Sequence, residues 1–306
     1  MLPVFIGGFR SGTTLLANLL GLHPELAAWF ETKELCEALR WQRVTAAPDQ
    51  AMLEQTYCRP AEPAGFTLDA VAARMMAQMR DTHARIDGRL HSGKAAHERY
   101  PLGNDCVAYP EANSLAALAG WRAALADTTG DAVQLAAANG RLITTLGEQQ
   151  RRLLSKPFWV NKTPEISRFA SQLRAALGPC RIIYLVRDGR AVVASGKGLQ
   201  WGDAATLAWH WKGLLESTRA AMATEPAHYL ELRYEQLVLD PIAVLDRVLV
   251  FCGLAPRGTA LVQQFRAGFG DTAFDTTRLA SAAALSAEDA QVFEAVAGSL
   301  QAALGY

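Results

Sequence analysis

The sequence has no excess of either charge: Lys+Arg and Asp+Glu each number 30, and the formal net charge is zero. Proteins that track a phosphate backbone carry a basic surplus, so nucleic acid is disfavoured as the main partner, while a local basic pocket for one small polyanion stays open. Cysteine is scarce and unpatterned. Cys36, Cys58, Cys106, Cys180 and Cys252 are odd in number, and no pair has metal-ligand spacing. That argues against a disulfide framework and for reduced, mostly buried thiols in a cytoplasmic protein. No run approaches the roughly 18–20 apolar residues of a membrane span, and no basic segment precedes the apolar start, so a soluble, unexported protein is expected. Internal repeats and low-complexity linkers are also missing. What remains is a chain of 306 residues, half of them hydrophobic, enough for an α/β core carrying an insertion.

One further absence bears on chemistry. Leu2 to Ile6 reads as a short apolar strand, followed by a glycine-rich turn and a helix opening at Thr13. Small residues let backbone N–H groups crowd an anion there, and the helix N-terminus adds its partial positive charge. Gly7 and Gly12 have the G-x-x-x-x-G spacing of a P-loop, but Thr13 and Thr14 stand where a nucleotide triphosphatase needs Lys and then Ser or Thr. The cation is inside the loop instead, at Arg10.

The rest of the chain alternates strands and helices around one interruption. Thr13 to Leu22 is expected to be helical, stopped by Gly21 and Pro24, and Ala27 to Phe30 a second buried strand that delivers Glu31, Thr32 and Lys33 to its C-terminal end. Residues 34–155 are alanine-rich and read mainly as helices, with a stripe of Leu68, Val71, Met75 and Met79 and another of Leu135, Leu142, Leu146 and Leu153. Met75, Met76 and Met79 read as core, and Gly88 to Glu111 as a loop. Strands resume at Phe158 to Val160, at Arg181 to Arg187 and at His228 to Tyr234. Thr163 as N-cap and Pro164 at the first helical position start a helix through Leu177. Asp203 to Thr224 forms a long helix with Trp209 and Trp211 read as core, Asp240-Pro241 starts another, and Ser286 caps a last one to Leu304. The pattern predicts an α/β protein: a three-layer, P-loop-type fold with a central parallel sheet of about five strands, one domain over 1–306, and 34–155 as a mainly helical insertion on the substrate side.

Four strand ends then present polar groups: Arg10 to Thr14, Glu31, Lys162, and Arg187 with Ser195 eight residues on. A parallel sheet gathers them along one edge. Three cations, several hydroxyls and one carboxylate suit transfer of an anionic group to a nucleophile that must lose a proton. No acidic cluster reads as a metal site. Among the histidines, His83, His91, His97 and His210 are not tied to an obvious turn, and none falls where the strand pattern puts the pocket edge, so Glu31 is the preferred base.

At these residues the chain resembles the sulfotransferases that use 3′-phosphoadenosine 5′-phosphosulfate (PAPS), closest to the branch that includes protein-tyrosine sulfotransferases and many bacterial members. The family's 5′-phosphosulfate loop is similar to Arg10-Ser11-Gly12-Thr13-Thr14-Leu15-Leu16, and its next two segments to His23-Pro24 and Glu31-Thr32. Its Lys-before-Pro element resembles Asn161-Lys162-Thr163-Pro164, and its 3′-phosphate motif Arg187-Asp188-Gly189-Arg190 through Ser195. Tyr234-Glu235-Gln236-Leu237, and the closing Leu285 to Asp289 and Leu304-Gly305-Tyr306, are similar too. The likeness covers residues 2–33 and about 158–254 well, the tail loosely and the insertion hardly at all.

The resemblance implies a sulfuryl transfer from PAPS to an acceptor hydroxyl or phenol, small-molecule or peptidyl, leaving 3′-phosphoadenosine 5′-phosphate (PAP), with no metal required. The amides of Ser11, Gly12, Thr13 and Thr14 would hold the phosphosulfate, Arg10 and Lys162 would stabilise the transferring group, Arg187 and Ser195 would bind the 3′-phosphate, and Glu31 would take the acceptor's proton. Tyr234 would contact the adenosine side or simply pack, and Trp209, if not core, would border the nucleotide. Family members often close the 3′-phosphate site with a basic or Trp-containing segment near Gly268 to Leu285; this chain has Asp275-Thr276-Thr277-Arg278 and no Trp there, so either Arg278 substitutes or the loop is partly open. Two other readings stay open: a P-loop kinase or NTPase, which Thr13 opposes, and a non-catalytic nucleotide-binding module.

Overall fold

The computed structural model describes residues 1–46, 67–90, 107–126, 131–274, 276–277, 279 and 285–306. Five strands form one sheet: β1 (Val4–Gly7), β2 (Leu26–Phe30), β3 (Phe158–Lys162), β4 (Arg181–Val186) and β5 (Tyr229–Arg233), in the order β2-β3-β1-β4-β5. Every pair is parallel, with Phe5 opposite Asn161 on one side and Ile182 on the other. Parallel strands are covered on both faces, so they read as unbroken apolar runs. Accordingly β1 and β2 are buried at every position, whereas the edge strand β5 alternates.

The two faces carry different helices. Phe5, Ala27, Trp29 and Ile182 pack into a core shared with the segment between β2 and β3. The described helices of that segment are α2 (Lys33–Ala46), α3 (Leu68–Leu90), α4 (Glu111–Leu125) and α5 (Ala132–Leu153). Val4, Ile6, Ala28 and Ile183 pack on the other face against α1 (Thr13–Gly21), α10 (Pro241–Cys252) and α11 (Gly258–Phe269). Tyr184 and Val186 join a third cluster with α7 (Gly189–Gly198), α8 (Ala204–Met222) and α12 (Ala287–Ala303). The remaining helices are α6 (Ala170–Leu177) and α9 (Tyr234–Leu239). Two buried amides fasten the segment between β2 and β3. Gln150 donates to the Ala28 carbonyl of β2 (2.8 Å) and accepts from the Ala108 amide (2.6 Å). Asn139 donates to Ala38 O and accepts from Trp121 Nε1.

The sequence expectations hold for the sheet and depart from the structure among the helices and turns. The segment after Pro164 is a 3-10 turn, Ile166–Phe169, before α6 begins. The Thr163 hydroxyl cannot cap it, because that oxygen donates to Asn161 Oδ1 and accepts from the Thr32 amide. Met76 is exposed (36%) while Met75 and Met79 are buried, and Trp209 is exposed while Trp211 is core. In each case helical spacing located the stripe without its width. Gly88 to Leu90 belong to α3, and Glu111 opens α4; residues 91–106 lie outside the described ones. So do Cys58, Cys106, His91, His97 and Arg278. Cys36, Cys180 and Cys252 are buried free thiols. No described helix is long and apolar enough to cross a membrane.

Candidate active site

The turn from β1 into α1 depends on two glycines. Gly8 has φ +124°, and a Cβ there would run into the Leu185 carbonyl oxygen of β4. Gly12, at φ +81°, is the N-cap of α1, and its Cβ position is filled by the Tyr234 ring. Only glycine meets both demands. No side chain caps α1, and its first turn has no acid. Its first amides therefore open, beside Thr13 and Thr14, onto a cavity of about 360 Å³ that Phe9, Arg10, Glu31, Arg187, Trp201 and Tyr234 also line. Two non-glycine residues on this cavity, Arg10 (φ +51°) and Glu31 (φ +55°), sit in the left-handed region. Such backbone costs about 1 kcal/mol or more and persists only where the surroundings impose it.

The predicted residues gather as two clusters. In the first, Lys162 at the end of β3 pairs with Glu31 Oε1 and donates to Thr14 Oγ1 (3.2 Å), its ammonium over the Phe30 ring. Lys162 is buried (1% exposed). Glu31 is held by its own amide, which donates to the Lys162 carbonyl (2.8 Å). Burial pushes the Glu31 carboxyl up, but the Lys162 ammonium, with Lys33 and Arg85 behind it, outweighs burial and holds the pKa below its ordinary value. Glu31 is thus ionised at neutral pH, able to accept a proton.

In the second cluster, Arg10 Nε donates to Ser195 Oγ (3.1 Å) across 185 residues. Arg187 Nη1 donates to the Arg10 carbonyl (3.1 Å), and its guanidinium lies 4.4 Å from the Tyr234 ring centroid. Burial, then the like charge of Arg187, lowers the Arg10 pKa, with Glu31 opposing. Two guanidiniums that repel each other over an uncapped helix N-terminus make this a site for an anion. Because β1 lies between β3 and β4 in the sheet, the two clusters flank the loop on opposite sides.

The structure also refines single positions. The Ser11 hydroxyl donates back to Phe9 O (2.9 Å), and Ser11 is buried and does not line the cavity. Tyr234 both packs and lines the cavity. Trp209 stacks with Lys212 and does not line the cavity; the bordering tryptophan is Trp201, with Arg10 5.0 Å from its ring centroid. Only its place in a turn after α7 hinted at this. In the tail, Ala273 reaches the cavity. Of the histidines, His83 on α3 bonds Ser114 on α4. His210, on α8, does not line this cavity. Its ring packs 4.3 Å from Phe9, and it lines a second cavity, also about 360 Å³, with Cys36, Glu37, Arg40 and Gln78. The two cavities share Phe9, Lys33, Glu165 and Trp201. A buried Thr32–Asn161–Thr163 network that stiffens the β2 and β3 ends left no sequence signal.

The sulfotransferase domain of the Synechococcus PCC 7002 olefin synthase is similar to this chain, with a TM-score of 0.54 and 18% identity over 97% of this chain and 94% of that one. The sulfotransferase domain from the curacin biosynthetic pathway is similar at a TM-score of 0.51 and 15% identity, over 98% of each. At such identities the likeness concerns the fold. No curated protein matches the chain. The profile of the Sulfotransferase family matches residues 3–257, from the first strand past the last, and the chain belongs to that family.

Proposed function

We propose that the protein transfers a sulfuryl group from PAPS to an acceptor hydroxyl or phenol. One observation carries the reading: two cationic clusters flank a single uncapped helix N-terminus, Lys162 with Glu31 on one side and Arg10 with Arg187 and Ser195 on the other. A donor with two separate anionic ends, a 5′-phosphosulfate and a 3′-phosphate, suits that arrangement; a singly phosphorylated nucleotide leaves one cluster unanswered. The loop amides and the Thr13 and Thr14 hydroxyls hold the phosphosulfate end, and Arg187 and Ser195 the 3′-phosphate. Arg10 reaches towards both from the loop between them. Tyr234 packs beneath Arg187 on the nucleoside side.

In the transfer, the bond from sulfur to the bridging oxygen breaks, and PAP leaves with the electron pair. The bond from sulfur to the acceptor oxygen forms, and Glu31 takes the acceptor's proton. Lys162 offsets the charge that builds up between donor and acceptor. Arginine and lysine supply the compensation a divalent ion gives elsewhere. With that compensation supplied by side chains, turnover is expected to survive EDTA. The second cavity, between α2, α3 and α8, adjoins the first through Phe9, Lys33, Glu165 and Trp201 and takes the acceptor.

The test is calorimetry and labelled-PAPS turnover on the purified protein. PAP is expected to bind at least about tenfold tighter than adenosine 5′-phosphate, the worth of one charge-assisted contact or more. Glu31→Gln and Lys162→Ala are expected to lose about 100-fold or more in kcat while keeping PAP affinity within a few fold. Equal binding of the two nucleotides, or magnesium-dependent ATP turnover, would sink the reading. Retained PAP binding with no transfer to any of a panel of phenols, alcohols and sugars would favour a binding module.

A further inference from the structure

Several buried polar groups that the proposed reaction does not use converge behind Arg187. Asp188 and Gly189 form the turn from β4 into α7, and so aim both Arg187, just before the turn, and Ser195, in the helix after it. A side chain from the far end of the chain grips that turn. Gln301, on α12 and 2% exposed, accepts from the Gly189 amide (2.9 Å) and donates through Nε2 to Asp188 Oδ1 (2.7 Å). The same Oδ1 accepts the Arg190 amide (2.9 Å), capping α7. The Asp188 amide donates to Glu235 Oε1 (3.2 Å), and Glu235 Oε2 accepts from the Tyr306 hydroxyl (2.8 Å). Arg233 donates to the Leu304 carbonyl and stacks on Tyr306. Gly189 leaves no slack, since a Cβ there would lie 2.6 Å from Phe293 Cζ of α12.

None of the α12 residues lines the cavity. Mere packing of α12 would be served by an apolar side chain at 301, because a buried amide costs free energy unless both its ends are matched. Here both are, one to a backbone donor and one to a carboxylate, which allows a single orientation of the turn.

We propose that Gln301 is a positioning residue for the donor site: through the Asp188–Gly189 turn it sets the Arg187 guanidinium against the Arg10 carbonyl and the Tyr234 ring, and so tunes recognition of the donor's 3′-phosphate. The proposal rests on the PAPS reading above. Calorimetry with PAP and with adenosine 5′-phosphate separates the two. Wild-type protein without a preference for PAP refutes the donor reading, and this proposal with it. Given that preference, Gln301→Leu is expected to weaken PAP binding about tenfold, as for a lost buried hydrogen-bond pair, and to leave adenosine 5′-phosphate binding unchanged. KM for PAPS rises accordingly, with kcat within about twofold. Gln301→Glu sets a carboxylate against Asp188 and shows the same loss. The double variant Asp188→Asn with Gln301→Glu returns one donor–acceptor pair between the two side chains, while Nδ2 replaces the oxygen that accepted the Arg190 amide, and regains part of the preference. Equal weakening of both nucleotides, unchanged PAP affinity in a folded Gln301→Leu, or no recovery in the double variant overturns the proposal. The double-variant comparison decides the matter should the leucine variant fail to fold.

Discussion

Glu31 and Glu34 lie three residues apart on the same stretch and are driven in opposite directions. Glu31 has the Lys162 ammonium against it, and its pKa is held below the ordinary 4.5 despite burial. Its ionic contribution to stability is therefore complete above pH 4.5 and lost as pH falls through the lowered value. The acid limb of kcat/KM that belongs to Glu31 is expected below pH 4.5, and to vanish in Glu31→Gln; a Glu31-dependent limb near neutrality would contradict the Lys162 pairing. Glu34 is 2% exposed, and its Oε2 has no hydrogen-bond partner. Burial pushes its pKa up to about 7. The unfolded chain releases that proton near pH 4.5 and the folded chain only near 7, so Glu34 costs stability progressively across that window and fully above it. Glu34→Gln should match the wild type at the acid end and be more stable by about 3 kcal/mol at about pH 8, read from urea unfolding. A pH-independent difference would show that Glu34 finds a partner.

At the level of the element, the strand–turn–helix unit of β1 and α1 does the most. Its glycines were legible as small residues beside a helix start. That Gly12 must be glycine for two reasons, a left-handed φ and the Tyr234 ring, needed the fold, since Tyr234 arrives 222 positions later in a different strand's helix. Gly12→Ala is expected to lower stability by about 1–3 kcal/mol and to abolish PAP binding, by thermal denaturation and calorimetry. A variant that binds normally would mean the ring moves aside freely. The strands were legible because burial on both faces writes an uninterrupted apolar run. The segment after Pro164 was not, because a capping threonine and a threonine committed to Asn161 and Thr32 look alike in sequence. Met76 and Trp209 were misplaced for a related reason: helical spacing gives a direction, and the neighbours decide how wide the buried stripe is.

Across the whole molecule, zero net charge conceals a strongly uneven distribution. Arg10 and Arg187 repel each other on one cavity wall, whereas Arg85–Asp81, Arg122–Asp69 and Arg152–Glu148 pair opposite charges at the surface. Salt screens the attraction of this cavity for a polyanion, and the PAP Kd is expected to rise on the order of tenfold between about 0.05 M and about 0.5 M salt. Salt-independent binding would argue against the cationic clusters as the donor site. The sequence alone determined the layer order, the phosphate-cradle loop and the strand ends that bear Glu31, Lys162 and Arg187. Each follows from runs of a dozen residues or fewer, where periodicity, glycine and helix ends act locally. Only the tertiary structure decided which of these groups meet. Lys162 finds Glu31 at a separation of 131 residues, Arg10 finds Ser195 at 185, and Gln301 reaches Asp188 at 113. Contacts at such separations depend on strand order and on where helices cross, and an isolated stretch of chain carries no trace of either.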